Sequence, residues 1–464
     1  MQGVEPNHNS TQAQPHLERR LDLLSATSIN MSNMVGAGTF ITLPLIIGSM
    51  GGPQALLGWF TGTLIALADS MVWSELAGAF PGTGGSYVYL RESFGRQKWG
   101  RFLSFMFIFQ LMLSGPLEIG SSNIGLAQYA GYLWPGMTTL GGKLVAAGAG
   151  VLATVLLYRR ITSIAKVMVT LWAGMVVAVV WVIVSGFMHF HAHLVLAFPP
   201  HAFALRPSTF LGLGSSTLYV MYCYLGYYAV CYLGEEVVDP PRTVPRSIFI
   251  SVLVVFLMNL LLSVSVLGVI PWREAMQSPF VVSEFMRRLY GNWAGVAVSL
   301  LIIWSAFAGT YALTLAYSRI PYAAALDGNF FHPFSKLHTK GDFPHVSLLL
   351  IGGLSVLSSL FELADVINAL MTARILVQFV MQILAVVMLR RYRPEVCRPF
   401  QMVLYPLPCA VALGGWLFLF FDAGIRYVSF GLLTVLAGCA AFAMMSANRQ
   451  TWPFGKKEDP GAAA

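Results

Sequence analysis

The chain has 464 residues, 56% of them apolar and 10% charged, with a formal net charge of +8 and a mean hydropathy of +0.68. That composition fits no soluble globular class. The basic excess is divided among short segments, which excludes a nucleic-acid-binding patch.

Residues 1–22 are polar, carry prolines and contain no apolar core, so they read as a tail and not as a cleavable signal peptide. Beyond them, apolar runs of about 20 residues, the length a bilayer requires, follow one another. Twelve are expected as helices, at 23–50, 54–79, 100–130, 143–158, 163–186, 208–235, 245–270, 292–325, 345–361, 365–390, 401–422 and 427–447. The expected fold class is an all-α membrane protein with twelve transmembrane helices. The first run is too long for a signal sequence and is interrupted at Asn33-Met34-Val35-Gly36-Ala37-Gly38-Thr39-Phe40. The sixth is interrupted at the corresponding point, Met221-Tyr222-Cys223-Tyr224-Leu225-Gly226-Tyr227-Tyr228. Glycine costs a helix up to about 1 kcal/mol relative to alanine. Broken backbone at membrane depth persists only where protein or a water-filled cavity satisfies it. Paired breaks in the two halves of a chain therefore point to a binding site near the bilayer midplane.

Runs one to five and six to ten share a layout. Each set opens on a broken helix and places an amphipathic connector after its second run. The connector is Pro81 through Phe94 in the first set, including Gly82-Thr83-Gly84-Gly85-Ser86-Tyr87, and Trp272 through Tyr290 in the second. Five is odd, so the second set enters the membrane upside down and the connectors fall on opposite faces. That is the signature of an inverted-topology repeat. The expected organisation is a tail at 1–22, a first repeat at 23–186, an outer loop at 187–207, a second repeat at 208–390, runs eleven and twelve in 391–447, and a tail at 448–464.

Cytoplasmic loops carry excess Lys and Arg. Arg91, Arg96, Lys98 and Arg101 fall on one side, with Arg159, Arg160 and Lys166, then Arg242 and Arg246. Arg319, Lys336 and Lys340 join them, as do Arg390, Arg391, Arg393 and Arg398, and the tails add Arg19, Arg20, Arg449, Lys456 and Lys457. The other side receives only Lys143, Arg206, Arg273, Arg287, Arg288 and Arg426. Both termini are therefore expected in the cytoplasm, in a multi-pass protein of the cell membrane.

The breaks suggest their own chemistry. Gly36, Ala37 and Gly38 free backbone amides at the start of a half-helix, where the positive dipole end favours an anion such as a carboxylate. Freed carbonyls of Tyr222, Cys223 and Tyr224 at a half-helix C-terminal end suit an ammonium, so the two breaks together would receive a zwitterion. Glycines serving only close helix packing are the plainer alternative. Glu118 lies within Ser114-Gly115-Pro116-Leu117-Glu118-Ile119-Gly120-Ser121-Ser122-Asn123, where an intramembrane carboxylate needs a cavity or a partner. It is a candidate for binding a cationic side chain, for taking up a proton, or for a structural ion pair with Arg374, the one basic residue placed inside a run. Asp69 reads more as hydrogen-bonded packing than as a site.

Cys223, Cys231, Cys397, Cys409 and Cys439 show no metal spacing and no disulfide framework. His189, His191, His193 and His201 crowd one loop, where imidazoles are capable of binding zinc or copper, but a histidine-rich outer loop at the interface is the expected account and no metal site is expected. Trp59, Trp73, Trp99, Trp134, Trp272 and Trp293 are expected as interfacial anchors near run ends.

The motifs resemble those of the amino acid–polyamine–organocation (APC) superfamily of secondary transporters, with the nearest likeness to bacterial permeases related to the L-type amino acid transporters. Gly36-Ala37-Gly38-Thr39-Phe40 stands where that family has G-S-G-I-F. Glu75-Leu76-Ala77, Pro81 and Gly84-Gly85-Ser86-Tyr87 are similar to its second-span ending and following loop. Glu235-Glu236, Asp239-Pro240 and Pro245 resemble the ending of its sixth span, Ser318-Arg319 and Asp327-Gly328 that of the eighth, and Leu389-Arg390-Arg391 that of the tenth. The resemblance implies a LeuT-like, five-plus-five inverted repeat with broken helices one and six, and alternating access around a midplane amino-acid site. It implies substrate contacts at Asn33, Gly36, Ala37, Gly38, Thr39, Tyr222, Cys223, Tyr224 and Gly226, with Tyr222 as an aromatic gate and Glu118 bordering the site. Ala37 departs from the family serine, and Leu225 from a glycine often seen there, which would narrow the pocket. Met175 stands where some bacterial relatives carry a sodium-mimicking lysine.

The expected activity is amino-acid transport within the lipid bilayer, with no cofactor and no enzyme chemistry. The coupling ion stays open among exchange, proton symport through Glu118 and sodium. A polyamine or organic-cation permease is the alternative within transport, and an amino-acid-sensing receptor the alternative outside it.

Overall fold

The computed structural model describes residues 19–82, 84–158, 164–338 and 343–454, with side chains omitted for 164–173. Thr83, Arg159, Arg160, Lys340, Lys456, Lys457, most of the N-terminal tail and the Lys166 side chain lie outside what is described.

Each of the twelve expected runs contains a helix. The first is broken into α1 (Leu23–Met34), a single turn α2 (Gly38–Ile41) and α3 (Leu43–Met50). Then come α4 (Leu57–Ala79), the connector α5 (Ser86–Ser93), α6 (Trp99–Leu133), α7 (Thr139–Leu157) and α8 (Ile164–Met188). A short α9 (Ala192–Val195) leads to α10 (Pro207–Tyr224), which covers only part of the sixth run. The rest of that run, expected as a second half-helix, is two 3₁₀ turns, Ala229–Tyr232 and Gly234–Glu236. There follow α11 (Pro240–Leu267), the second connector α12 (Trp272–Ala275) and α13 (Val281–Tyr290), and α14 (Asn292–Leu326). The chain closes with α15 (His345–Ser358), α16 (Leu363–Arg374), α17 (Met381–Tyr392), α18 (Leu407–Asp422) and α19 (Ile425–Asn448). A π-helical turn, Ile375–Val380, joins α16 to α17.

Among the described residues, seven helices are long and apolar enough to cross a bilayer, and the pair bent by 42° at Val35–Ala37 makes an eighth. The part of α8 whose side chains are described, Gly174–Met188, together with α15 and α18, is apolar but shorter. At 1.5 Å per residue, the 35 residues of α6 and of α14 exceed a core of about 30 Å, so both helices tilt or project beyond it.

The polarity of the bundle is that of a protein dissolved in lipid. Leu64, Leu144, Val151, Leu152, Leu257 and Leu433 point outward, whereas Asn30, Asp69, Glu75, Asn123, Arg374 and Gln382 are buried. Hydroxyls inside return their protons to the carbonyl one turn back, as Ser70 does to Ala66 (2.6 Å) and Thr63 to Trp59 (2.5 Å). Close packing relies on small residues: a Cβ at Gly58 or Gly62 of α4 would strike Ser216 or Val220 of α10. The tryptophans divide. Trp99, Trp134 and Trp293 are exposed near helix ends, but Trp59 and Trp73 are buried, which corrects their reading as anchors. The reason is that α4 packs inside the bundle, where Trp73 stacks on Tyr228 at 4.2 Å and Trp59 meets Tyr224 edge-on.

One end of α4 is held by charge. Glu75, fully buried, takes Nε and Nη2 of Arg390 on its two oxygens at 2.7 Å each, and the Met402 amide at 3.0 Å. Arg390, whose side chain is 20% exposed, also lies 4.1 Å from the centre of the Tyr405 ring. Removing one partner of a buried pair costs roughly 3–5 kcal/mol, and the partial exposure of Arg390 makes the two directions unequal. Arg390→Met leaves the fully buried carboxylate with only Arg398 Nε, 3.9 Å away, and no route to water, whereas Glu75→Gln leaves Arg390 and Arg398, 20% and 15% exposed, which reach it. Thermal unfolding of detergent-purified protein is expected to fall further for Arg390→Met than for Glu75→Gln; the reverse order would contradict this account.

Candidate functional site

The first break follows from Gly36-Ala37-Gly38. Helix α1 ends at Met34, and Val35 (φ −89°, ψ 88°) turns the chain out of it. The amides of Gly36, Ala37, Gly38 and Thr39 donate no backbone hydrogen bond among the described residues. The Gly36 side of this turn is open, since a Cβ there would meet nothing within 4 Å. Thr39 Oγ1 is buried without a hydrogen-bond partner among the described residues. Three positions on, Thr42 ties the turn together by donating to the Gly38 carbonyl (2.8 Å).

The second break is a type II turn. Leu225 (φ −54°, ψ 128°) and Gly226 (φ 104°) occupy its centre, and the Tyr227 amide closes it on the Tyr224 carbonyl (3.2 Å). Glycine belongs at the third position of such a turn, where φ is positive. The Leu225 amide likewise bonds the Tyr222 carbonyl (3.2 Å). This corrects the expectation of three freed carbonyls: Tyr222 and Tyr224 each spend a lone pair on the turn, and of the three only Cys223 accepts no backbone donor.

The two breaks lie against each other. A Cβ on Gly226 would stand 2.6 Å from Cβ of Asn33, and one on Gly38 would stand 3.0 Å from Cε1 of Tyr222. Three further contacts share one polarity by proton count. Ser121 Oγ donates to the Glu118 carbonyl, so Tyr222 OH donates to Ser121 (2.8 Å). Thr42 is committed to Gly38, so the Cys223 thiol donates to it (3.1 Å). Thr63 is committed to Trp59, so Tyr224 OH donates to it (2.7 Å). Asn30, not singled out in the sequence, accepts the Val230 amide on Oδ1 (2.9 Å) and so seats the 3₁₀ turn on α1. Its signal was spacing: it precedes Asn33 by three residues, which puts both on one helix face.

A cavity of about 540 Å³ opens beside the breaks. Asn33, Leu225, Gly226, Glu118 and Arg374 line it, but Gly36–Thr39 and Tyr222–Tyr224 do not. Its more exposed end holds Tyr87, Arg91 and Asp327, where Tyr87 OH (3.1 Å) and Arg91 Nη1 (3.3 Å) both donate to Asp327.

At the deeper end, Arg374 Nη2 lies 2.6 Å from Glu118 Oε2. Tyr317 OH donates to the same oxygen (2.5 Å) and accepts from Arg374 Nη2 (3.1 Å), while Arg374 Nε donates to Ser114 (3.1 Å). Arg374 sits where α16 gives way to the π-turn, an irregularity frequent at functional sites. Gln378 of that turn also lines the cavity. Tyr317 and Gln378 escaped the sequence reading because a lone tyrosine or glutamine in an apolar run shows no spacing.

Asp69 stands apart from the cavity. It accepts from Trp73 Nε1 (2.9 Å) and from Tyr227 OH, behind the second break. His189 bonds the Ser185 carbonyl (3.0 Å), His191 and His193 meet edge-on, and among the described residues no three metal-ligating side chains gather.

The family model described as amino acid permease matches residues 21–454. The cystine/glutamate transporter of Homo sapiens is 26% identical over 404 residues, covering 85% of this chain and 78% of its own. The Asc-type amino acid transporter 1 of Mus musculus is 25% identical over 441 residues, with 92% and 81% covered. Cationic amino acid transporter 4 of Mus musculus is 24% identical over 368 residues, with 74% of this chain but 55% of its own length covered. This chain belongs to the amino acid permease family of the APC superfamily, whose members are membrane transporters and not enzymes.

Proposed function

We propose that the protein is a secondary active transporter that moves amino acids across the cell membrane by alternating access. Its twelve spans form a five-plus-five inverted repeat followed by two further spans, with both termini in the cytoplasm. The observation that carries the reading is the meeting of the two breaks, Gly226 on Asn33 and Gly38 beneath Tyr222, beside a cavity. The free amides of Gly36–Thr39 take the substrate carboxylate. The Cys223 carbonyl and Asn33 take the ammonium. Tyr222 covers Gly38 as the gate between this receptor and the cavity, and the Arg91–Asp327 end of the cavity faces the cytoplasm.

The names of the relatives span cystine, glutamate and cationic amino acids, which supports amino acids as the class without choosing a side chain. A polyamine would leave the amides of the first break idle. The two acids it would use are engaged, Glu118 with Arg374 and Asp69 with Trp73 and Tyr227.

A thermal-shift screen of purified protein against the amino acids and putrescine tests the class, because a ligand bound only by the folded state raises its melting temperature. An amino acid is expected to stabilise; putrescine stabilising where no amino acid does would overturn the proposal.

Gly38→Val presses a branched side chain into the Tyr222 ring and is expected to cut uptake into proteoliposomes by at least about tenfold, with near-parental membrane expression. Parental uptake would remove the first break from the site.

Gly226→Ala meets both a positive φ and the Asn33 backbone. Strain of that kind costs of order 1–3 kcal/mol, so the variant is expected to melt several degrees lower and to lose uptake. An unchanged melting curve would refute the contact.

A further inference from the structure

The deepest wall of the cavity carries both signs of charge, and they are spent on each other. Arg374, 1% exposed, puts Nη2 2.6 Å from Glu118 Oε2, and its Nε goes to Ser114. Tyr317 closes a triangle by donating to that carboxylate oxygen and accepting from the guanidinium. The neighbouring wall is aliphatic, with Ile29, Ile108, Leu111, Leu225, Leu313 and Ile320. The other charges, Arg91, Asp327 and Arg319, lie toward the exposed end, where Arg91 and Asp327 pair with each other at 3.3 Å.

We infer that the Glu118–Arg374 pair is a specificity determinant that neutralises the side-chain wall, so that the substrates are amino acids with uncharged, largely apolar side chains. This rests on the amino-acid reading above. A substrate carboxylate aimed at this wall meets an Arg374 already neutralised by Glu118, so it either shares the guanidinium beside a like charge or takes it away and leaves Glu118 buried without its cation. A substrate ammonium meets the mirror-image choice at Glu118, beside Arg374. Sharing sets like charges together, and exchange removes one partner of a buried pair, the costly direction for such pairs. An aliphatic side chain disturbs neither group and buries apolar surface against the leucines and isoleucines. The discrimination against charged side chains is about 100-fold or more.

The pair also predicts how to change the preference. Glu118→Gln leaves the Arg374 charge uncompensated at the cavity wall and should admit glutamate and aspartate. Arg374→Gln frees Glu118 and should admit lysine.

The test uses full-length purified protein with leucine, phenylalanine, glutamate, aspartate and lysine, read by thermal shift and by uptake into proteoliposomes. In the parent, leucine or phenylalanine is expected to act at concentrations about 100-fold below glutamate or lysine. Glu118→Gln is expected to gain glutamate response at least about tenfold and Arg374→Gln to gain lysine response, each without gaining the other. A parent that ranks glutamate or lysine above leucine and phenylalanine overturns the inference and leaves the amino-acid reading standing. A parent that responds to no amino acid overturns both. A folded Glu118→Gln variant, monodisperse on gel filtration, with the parent's ranking unchanged also overturns it. The parent's ranking decides even where a variant does not fold.

Discussion

A peptide group inside hydrocarbon can send its hydrogen bond only to protein or to water in a cavity, and this molecule depends on how two interrupted helices meet that demand. The first break leaves amides without backbone acceptors and the second consumes two of its own carbonyls in a turn. Neither would persist alone, and each is braced by the other. Gly226 rests on the Asn33 backbone, Asn30 accepts the Val230 amide, and the Cys223 thiol reaches Thr42 just beyond Gly38. Helix α4 can come close enough to support α10 because Gly58 and Gly62 present no side chains to it. An ordinary helix at either position would remove the reason for the other to be broken.

Polar ties of a second kind fix the span formed by α16, the π-turn and α17. Arg374 binds it to Glu118 and Ser114 of α6, Gln382 to Ser86 of α5, and Arg390 to Glu75 of α4. These three attachments lie at successive depths and go to three different helices. Such groups are expensive in a membrane unless paired. Their pairing here confines the span to one rotation about its axis, and that rotation aims both Arg374 and Gln378 at the cavity.

Much of this was legible in advance because membrane sequence is repetitive in its physics. Apolar length alone located helices in all twelve runs, and the Gly36 and Gly38 pair and the single Gly226 marked the two breaks. What escaped depends on geometry that composition does not encode. A tryptophan near the end of an apolar run is equally compatible with an interface and a core, and only the packing of α4 put Trp59 and Trp73 inside. The segment after Gly226 has the apolar content of a helix, yet it folds into 3₁₀ turns. There Tyr227, Tyr228 and Tyr232 surround Trp73, and Tyr227 hydrogen-bonds Asp69. Glu118 and Arg374 were candidate partners from rarity alone, but Tyr317, which bridges them, looked like any aromatic residue in α14.

The Glu118–Arg374 pair and the two breaks are not independent. The carbonyl of Glu118 accepts from Ser121, one turn along α6, Ser121 accepts from Tyr222, and the Tyr222 ring lies over Gly38. A displacement of α6 large enough to disturb the ion pair therefore moves the acceptor that holds the tyrosine hydroxyl. Conversely, swinging Tyr222 off Gly38 breaks a single hydrogen bond, worth about 1 kcal/mol net. That bond is weaker than the Glu118–Arg374 pair, where removing one partner costs roughly 3–5 kcal/mol. On the proposed mechanism, that asymmetry makes the tyrosine the group that moves and the ion pair the fixed wall against which it moves.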